Sequence, residues 1–291
     1  MPREVADVTW SDLIWVLIVI VAIQPMLRQR YLDLMRQRRI AQFEKKRGSR
    51  VILLIHRQET MRLLGFPLMR YIDVTDSEAV LKAIQLTDPD VPLDLVLHTP
   101  GGLALAALQI ARALRDRKAA VTIFVPHYAM SGGTLIALAA REIVLSPHAV
   151  LGPIDPQIGE YPAASFLKVV SQKPAAETDD ETLIKADLAR KAITQMRDAV
   201  AGLLTPHLDK ARIDEIATCL TDGRWTHDHP IFAEDAAAIG LNVSTSMPPE
   251  ILQLMDLYPQ PVSTASGGVE YLPGPRHRDA EARSASSRHA S

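Results

Sequence analysis

Two glycine pairs in this chain sit where a nucleophile and its oxyanion donors would be built. HTPGG (98–102) and AMSGGT (129–134) each follow a short apolar run and precede a helical pattern. Ser131 falls where the backbone must turn sharply from strand to helix. Such a turn exposes the hydroxyl and sets it at the positive end of the helix dipole. Gly101, Gly102 and Gly132 can present backbone N–H groups with no side chain in the way. Donors aimed at a developing oxyanion are worth about 3 kcal/mol each. The chemistry is therefore acyl transfer, a serine attacking a carbonyl carbon. A glycine-rich turn also suits helix capping and phosphate binding. Neither turn matches GxGxxG or GxxxxGK[ST], which argues against a nucleotide site.

A serine needs a base, and several side chains compete for that role. His98 precedes the first glycine pair and His127 precedes Ser131 by four residues; both end strands expected to lie side by side. Either can reach Ser131 or shape its pocket, although histidines at a core edge are more often structural. His148, in SPHAVLG, reads as structural. His227 and His229 form a His-x-His in GRWTHDHPI, a spacing compatible with metal binding, but no third ligand is evident and no metal is expected. Asp155, in a proline-flanked turn, is suited to orienting a base or holding a substrate amine.

Taken together, these residues resemble a known group. HTPGG followed by MSGGT is similar to the ClpP/crotonase-like superfamily of serine peptidases, which includes ClpP and signal peptide peptidase A. LHTPGG, VPHYAMSGGTLIALAA, AVLGPIDPQIG and GRWTHDHPI occur in the order of the serine dehydrogenase proteinase family, across about residues 50 to 260. The resemblance implies a spiral of ββα units, a nucleophile at Ser131 and assembly into rings or stacked trimers. It leaves the base open. ClpP-like enzymes carry a histidine in the segment corresponding to GPIDPQIG, where this chain has Ile154 and Asp155. Signal peptide peptidase A uses a downstream lysine instead, which here implies Lys185 or Lys191. Lys185 suits the spacing, and Lys191 suits the ARKAI stretch. Six residues turn a helix by about 600°, so the two cannot both face Ser131. A base lysine must also be buried enough to be neutral near physiological pH.

The elements that must hold these groups alternate. Residues 51–56, 93–98, 121–127 and 142–146 read as strands; 76–86, 103–117 and 134–141 read as helices, with Asp76 or Ser77 capping the first. A long helix spans 181–204, and two more follow in ARIDEIATCL and FAEDAAAIG. Alternating strands and helices imply an α/β domain. The Pro-, Ser- and Arg-rich tail has little to bury and is expected to be disordered. The expected organisation is an anchor (1–27), a basic juxtamembrane helix (28–50), a peptidase domain (51–258) and a tail (259–291).

At the N-terminus, Leu13 to Ile23 is unbroken apolar sequence; extended to Val8 and Leu27 it supplies the ~20 residues of a membrane span. Acidic Glu4, Asp7 and Asp12 precede it, unlike the basic start of a signal peptide. Nine basic residues against two acidic ones follow between Arg28 and Arg50, so the catalytic core is expected on the cytoplasmic side. With 47% hydrophobic and 23% charged residues the chain is not intrinsically disordered, and a net charge of −2 argues against a dedicated nucleic-acid binder. Its single cysteine, Cys219, excludes an intramolecular disulfide. The sequence thus predicts a membrane-anchored, homo-oligomeric serine peptidase acting on membrane-associated polypeptides, with no cofactor and no nucleic-acid partner. Two alternatives remain: a catalytically inactive membrane-tethered scaffold, and a crotonase-type acyl-CoA enzyme, for which the serine of MSGGT has no use.

Overall fold

The computed structural model describes residues 10–56, 62–63, 66–67, 70–204 and 208–258, with some side chains in the first half of the N-terminal helix left out. The chain divides into a unit of residues 1–259 and a second of residues 260–291. That second unit and the whole of the expected disordered tail, 259–291, lie outside the described residues.

The first unit is built on one parallel sheet. Its strands are β1 (Arg50–Ile55), β2 (Leu93–His98), β3 (Val121–Val125), β4 (Glu142–Leu145) and β5 (Val243–Ser244), ordered in space as they are in sequence. Every neighbouring pair is parallel. A sheet of this kind is covered on both faces, which is why β2 is buried at all six positions and reads as a nearly continuous apolar run. Its acidic residue, Asp94, is 1% exposed and holds Arg47 at 2.6 Å and the Ser49 hydroxyl at 2.6 Å. Those bonds tie the end of the N-terminal helix to the second strand of the sheet.

The helices α2 (Val74–Gln85), α3 (Ala104–Arg115) and α4 (Gly132–Ala137) fall between successive strands. Helix α3 buries Ala106, Ala107, Ile110, Ala111 and Leu114, the stripe its 3.6-residue period predicts. The cap of α2 is Asp73 rather than Asp76 or Ser77: Asp73 and Asp76 accept each other's backbone N–H at 3.0 Å. Helices α5 (Ala163–Gln172), α6 (Asp180–Leu204), α7 (Lys210–Thr221), α8 (Ala233–Ile239) and α9 (Pro249–Met255) complete the unit. Both α5 and α9 lie in stretches where the sequence reading assigned no element.

The described part of the expected anchor runs without a break into the juxtamembrane helix as one helix, α1 (Trp10–Arg47). Among the described residues no helix is long and apolar enough to cross a membrane. The second half of α1 meets the sheet and α9: Phe43 is buried against Phe124, and Arg36 donates to the Leu257 carbonyl and lies over the Tyr258 ring. In the first half, Trp15, Leu17, Val21 and Ile23 are exposed.

Candidate active site

The site lies beyond the C-terminal ends of β2 and β3, the usual place for ligands on an open parallel sheet. Past His98 and Val125 the two strands continue to pair. Thr99 N–H donates to the Tyr128 carbonyl at 3.1 Å, and Met130 N–H donates to the Thr99 carbonyl at 3.0 Å. This short extension carries both glycine turns outward together, setting Gly101–Gly102 against Met130–Gly132. The approach is so close that a Cβ on Gly101 would lie 2.8 Å from the Met130 carbonyl oxygen and 2.9 Å from the Ser131 Cβ.

Ser131 has φ 48° and ψ −112°, and among the described residues it is the one non-glycine with positive φ. That ψ lies far from the left-handed basin, so the conformation is strained, at a cost on the order of 1–3 kcal/mol. Ser131 also occupies the N-cap of α4, where a serine normally turns its hydroxyl onto the N–H of the second or third helical residue. Here the side chain makes no cap bond. The helix begins instead with the Ser131 carbonyl accepting from Leu135 N–H, and Thr134 carries the local cross-links. Its hydroxyl is 2.7 Å from the Ala129 carbonyl and 2.8 Å from that of Gly152. The Ser131 hydroxyl is thereby left to the adjoining cavity.

The three expected oxyanion donors separate. Gly101 N–H is occupied by the Thr99 hydroxyl at 3.2 Å, so Gly101 is corrected from donor to turn-former. The chain at Gly102 pairs with Ile72 through its neighbours: Ile72 N–H donates to the Gly101 carbonyl at 2.7 Å, and Leu103 N–H to the Ile72 carbonyl at 2.8 Å. In a parallel pairing of this type the N–H of the middle residue points to the other side. Gly102 N–H is therefore aimed away from Ile72, and Gly132, as the first residue of α4, has no helical acceptor for its own N–H. The two glycines are adjacent, with the Gly102 nitrogen 3.5 Å from where a Gly132 Cβ would be.

Behind this turn stands a buried relay that the sequence reading did not single out. His56, at the end of β1, places Nδ1 2.9 Å from the Thr99 hydroxyl and Nε2 3.2 Å from Asp76. Burial holds its pKa below the ordinary histidine value, outweighing the pull of Asp76 in the other direction. A neutral imidazole thus braces the threonine that braces Gly101.

Ser131, Gly102 and Gly132 open onto a cavity of about 660 Å³. Much of its lining is apolar, with Leu103 at the start of α3, Leu105 and Leu108 within that helix, and Ala192, Met196 and Ala199 from α6. The lining also includes Asp155, Gln157 and His227. Asp155 is 3% exposed; it accepts from His227 Nδ1 at 2.8 Å on one oxygen and from Gln157 Nε2 at 2.6 Å on the other. Sequence reading weighed His227 as a metal ligand with His229. His229 instead stacks on Trp225, with ring centroids 5.1 Å apart, and among the described residues no cluster of three or more ligands could hold a metal ion.

The remaining sequence candidates lie off the cavity. His98 is 1% exposed, packed 4.3 Å from the Tyr128 ring and 5.6 Å from the His127 ring; neither histidine lines the cavity. The lysine assignments need correcting in the same way. Lys185 shares the α6 stripe of Ala192 and Ala199, but about two turns, or roughly 10 Å, before it. Its ammonium pairs with Glu181 at 2.5 Å, a bond that raises its pKa, the reverse of what a base lysine requires. Lys191 pairs with Asp187 at 2.6 Å and is 63% exposed. Neither has the apolar burial that would strip its proton.

The chain matches the family described as ClpP-like SDH-type serine proteinase over residues 3–286. It is 49% identical over 266 residues to one uncharacterized protein of Methanocaldococcus jannaschii, covering 91% of this chain and 93% of the relative. A second uncharacterized protein of that organism is 47% identical over 270 residues, covering 92% of each. Among solved structures the chain is similar to the membrane-bound stomatin-specific protease 1510-N. That match has a TM-score of 0.44 and 21% identity, over 63% of this chain and 79% of the other.

Proposed function

Because this chain belongs to the ClpP-like SDH-type serine proteinase family, we propose that it is a serine endopeptidase with Ser131 as nucleophile. The observation that carries this reading is Ser131 itself: a strained serine at a strand-to-helix turn, its hydroxyl unused by the helix it caps. A protein stores such strain where function requires it. In the reaction, Ser131 Oγ attacks the scissile carbonyl, and the Gly102 and Gly132 N–H groups receive the negative charge that develops on its oxygen. Two donors at about 3 kcal/mol each supply a large part of the acceleration. No cofactor is required for this chemistry.

The peptidase is anchored by its N-terminal helix, acts on polypeptides at or in the membrane, and works as a homo-oligomer. The anchoring reading is supported by the apolar run Leu13–Ile23 and the exposed Trp15, Leu17, Val21 and Ile23 of α1. The basic residues after the run support a cytoplasmic core, since Lys and Arg resist translocation. Oligomerisation is supported by the family resemblance.

The test is active-site labelling. A fluorophosphonate should modify Ser131 in the full chain, and Ser131→Ala should lose both labelling and casein hydrolysis while keeping its circular dichroism. Full hydrolysis by purified Ser131→Ala would refute the reading. For the topology, alkaline phosphatase fused after Tyr258 should be inactive and a fluorescent protein bright; the opposite result would reverse the orientation.

A further inference from the structure

Ser131 and Gly102 stand on two different turns, so their alignment depends on what locks one turn to the other. Thr99 is the residue that both turns share. It is wholly buried, and its backbone belongs to the Ser131 side: its N–H donates to the Tyr128 carbonyl and its carbonyl accepts from Met130 N–H. Its methyl meets the start of α4, where a Cβ on Gly133 would lie 2.7 Å from the Thr99 Cγ2. Its hydroxyl serves the other turn, accepting the Gly101 N–H at 3.2 Å.

The direction of that hydroxyl is set from behind. His56 Nε2 is 3.2 Å from Asp76, and a carboxylate only accepts, so in the neutral ring the proton sits on Nε2 and Nδ1 is an acceptor. The Thr99 O–H donates to that Nδ1 at 2.9 Å, which leaves its lone pairs for the Gly101 N–H. Without the imidazole the hydroxyl hydrogen would turn to the Gly101 carbonyl, 3.4 Å away, which already accepts from Ile72 N–H. Asp76 itself is held in place, because the oxygen that meets His56 also accepts the Asp73 N–H at 3.0 Å. Four residues before Asp76, Ile72 grips the chain on either side of Gly102. One short segment thus holds the glycine turn at both edges, directly through Ile72 and indirectly through Asp76, His56 and Thr99.

We infer that Thr99, His56 and Asp76 are positioning residues that aim the Gly102 N–H at the carbonyl attacked by Ser131; the inference rests on the peptidase reading and extends it. None of the three lines the Ser131 cavity, so each acts through the placement of Gly102 and not by touching substrate. A misaimed donor matters most where the carbonyl oxygen carries negative charge, in the transition state, and little when substrate merely binds.

The experiment uses the full-length chain, a fluorogenic peptide substrate and a peptidyl boronic acid, whose tetrahedral adduct with Ser131 sets an oxygen where the oxyanion forms. Thr99→Val, which keeps the shape and loses the hydroxyl, should lower kcat about 10²-fold with KM within about twofold, and should weaken the boronate in proportion. Thr99→Ser, which returns the hydroxyl, should recover most of both. His56→Leu should lower kcat about tenfold on its own. Added to Thr99→Val it should cost nothing more, because it acts through the hydroxyl that this variant lacks. A merely structural role would lower folding midpoints without separating kcat from KM. Should either buried variant fail to fold, Asp76→Asn decides: its amide oxygen still caps α2, but it no longer fixes the imidazole proton, and kcat should fall about fivefold at unchanged KM. A folded Thr99→Val that keeps kcat and boronate affinity within about threefold would overturn the inference, as would additive losses in the double variant or full kcat in Asp76→Asn. If Ser131→Ala is dead in that case, only the positioning role is wrong. If Ser131→Ala is active, the peptidase reading itself has failed.

Discussion

Gly102→Ala is the substitution whose effect follows most directly from the structure. A Cβ at this position would lie 2.3 Å from both the nitrogen and the carbonyl oxygen of Ile72, where ordinary contact begins at 3.4 Å. The obstacle is backbone, so it cannot rotate aside, and the segment must move outward by about 1 Å. The φ of 153° adds conformational strain for any residue with a side chain. Moving Gly102 weakens the Ile72 N–H bond to Gly101 and the Leu103 N–H bond to Ile72, at about 1 kcal/mol each. With strain of another 1–2 kcal/mol, the loss of stability should be about 3–4 kcal/mol. Catalysis should suffer more than stability does. One misdirected oxyanion donor costs roughly 10²–10³ in kcat. Ser131 is on the other turn, so slow fluorophosphonate labelling should persist while peptide hydrolysis collapses. Urea denaturation and steady-state kinetics on the same preparation measure both quantities. A folded Gly102→Ala variant with kcat within twofold of wild type would refute the assignment of Gly102 as an oxyanion donor.

Three further outcomes are expected. Lys185→Ala and Lys191→Ala should each keep peptide hydrolysis within about twofold, since each ammonium pairs with a neighbouring carboxylate on α6; a thousandfold loss in either would restore a serine–lysine dyad. Ser131→Gly should raise the urea midpoint, by about 1 kcal/mol in stability, through relief of the positive-φ strain; Ser131→Ala should not, and equal midpoints would argue against stored strain. For His56, the folded pKa lies below the ordinary 6.5. The unfolded chain therefore binds more protons between those two values, so stability is full above about pH 6.5 and falls as pH drops through that window. Folding midpoints across that range should show a shallower slope in His56→Gln, and an unchanged slope would remove His56 as the cause.

The parts of this protein that are legible in its sequence are those set by local rules. A six-residue apolar strand, a helix with a 3.6-residue stripe and a serine between a strand and a Gly-Gly helix start are each decided by neighbours in the chain. Hence β2 matches its expected bounds, and Ser131 stands at the start of α4, between strand and helix, as expected. Proximity between distant segments follows no such rule. Asp155 and His227 come from a turn before α5 and a loop after α7, and nothing in GPIDPQIG or THDHP requires them to meet. The His-x-His spacing suggested a metal because sequence displays adjacency along the chain; the fold sends one histidine to an aspartate and the other to a tryptophan. The same holds for Gly101 and Gly102, identical as residues. Only the pairing of Ile72 with one edge and the Thr99 hydroxyl beneath the other decide which N–H is spent inside the protein and which faces the cavity. Lysine spacing along α6 could give a rotation angle, but not the carboxylates that hold each ammonium. Local chemistry singled out Ser131, and long-range packing, which buries some polar groups and leaves others facing the cavity, chose what surrounds it.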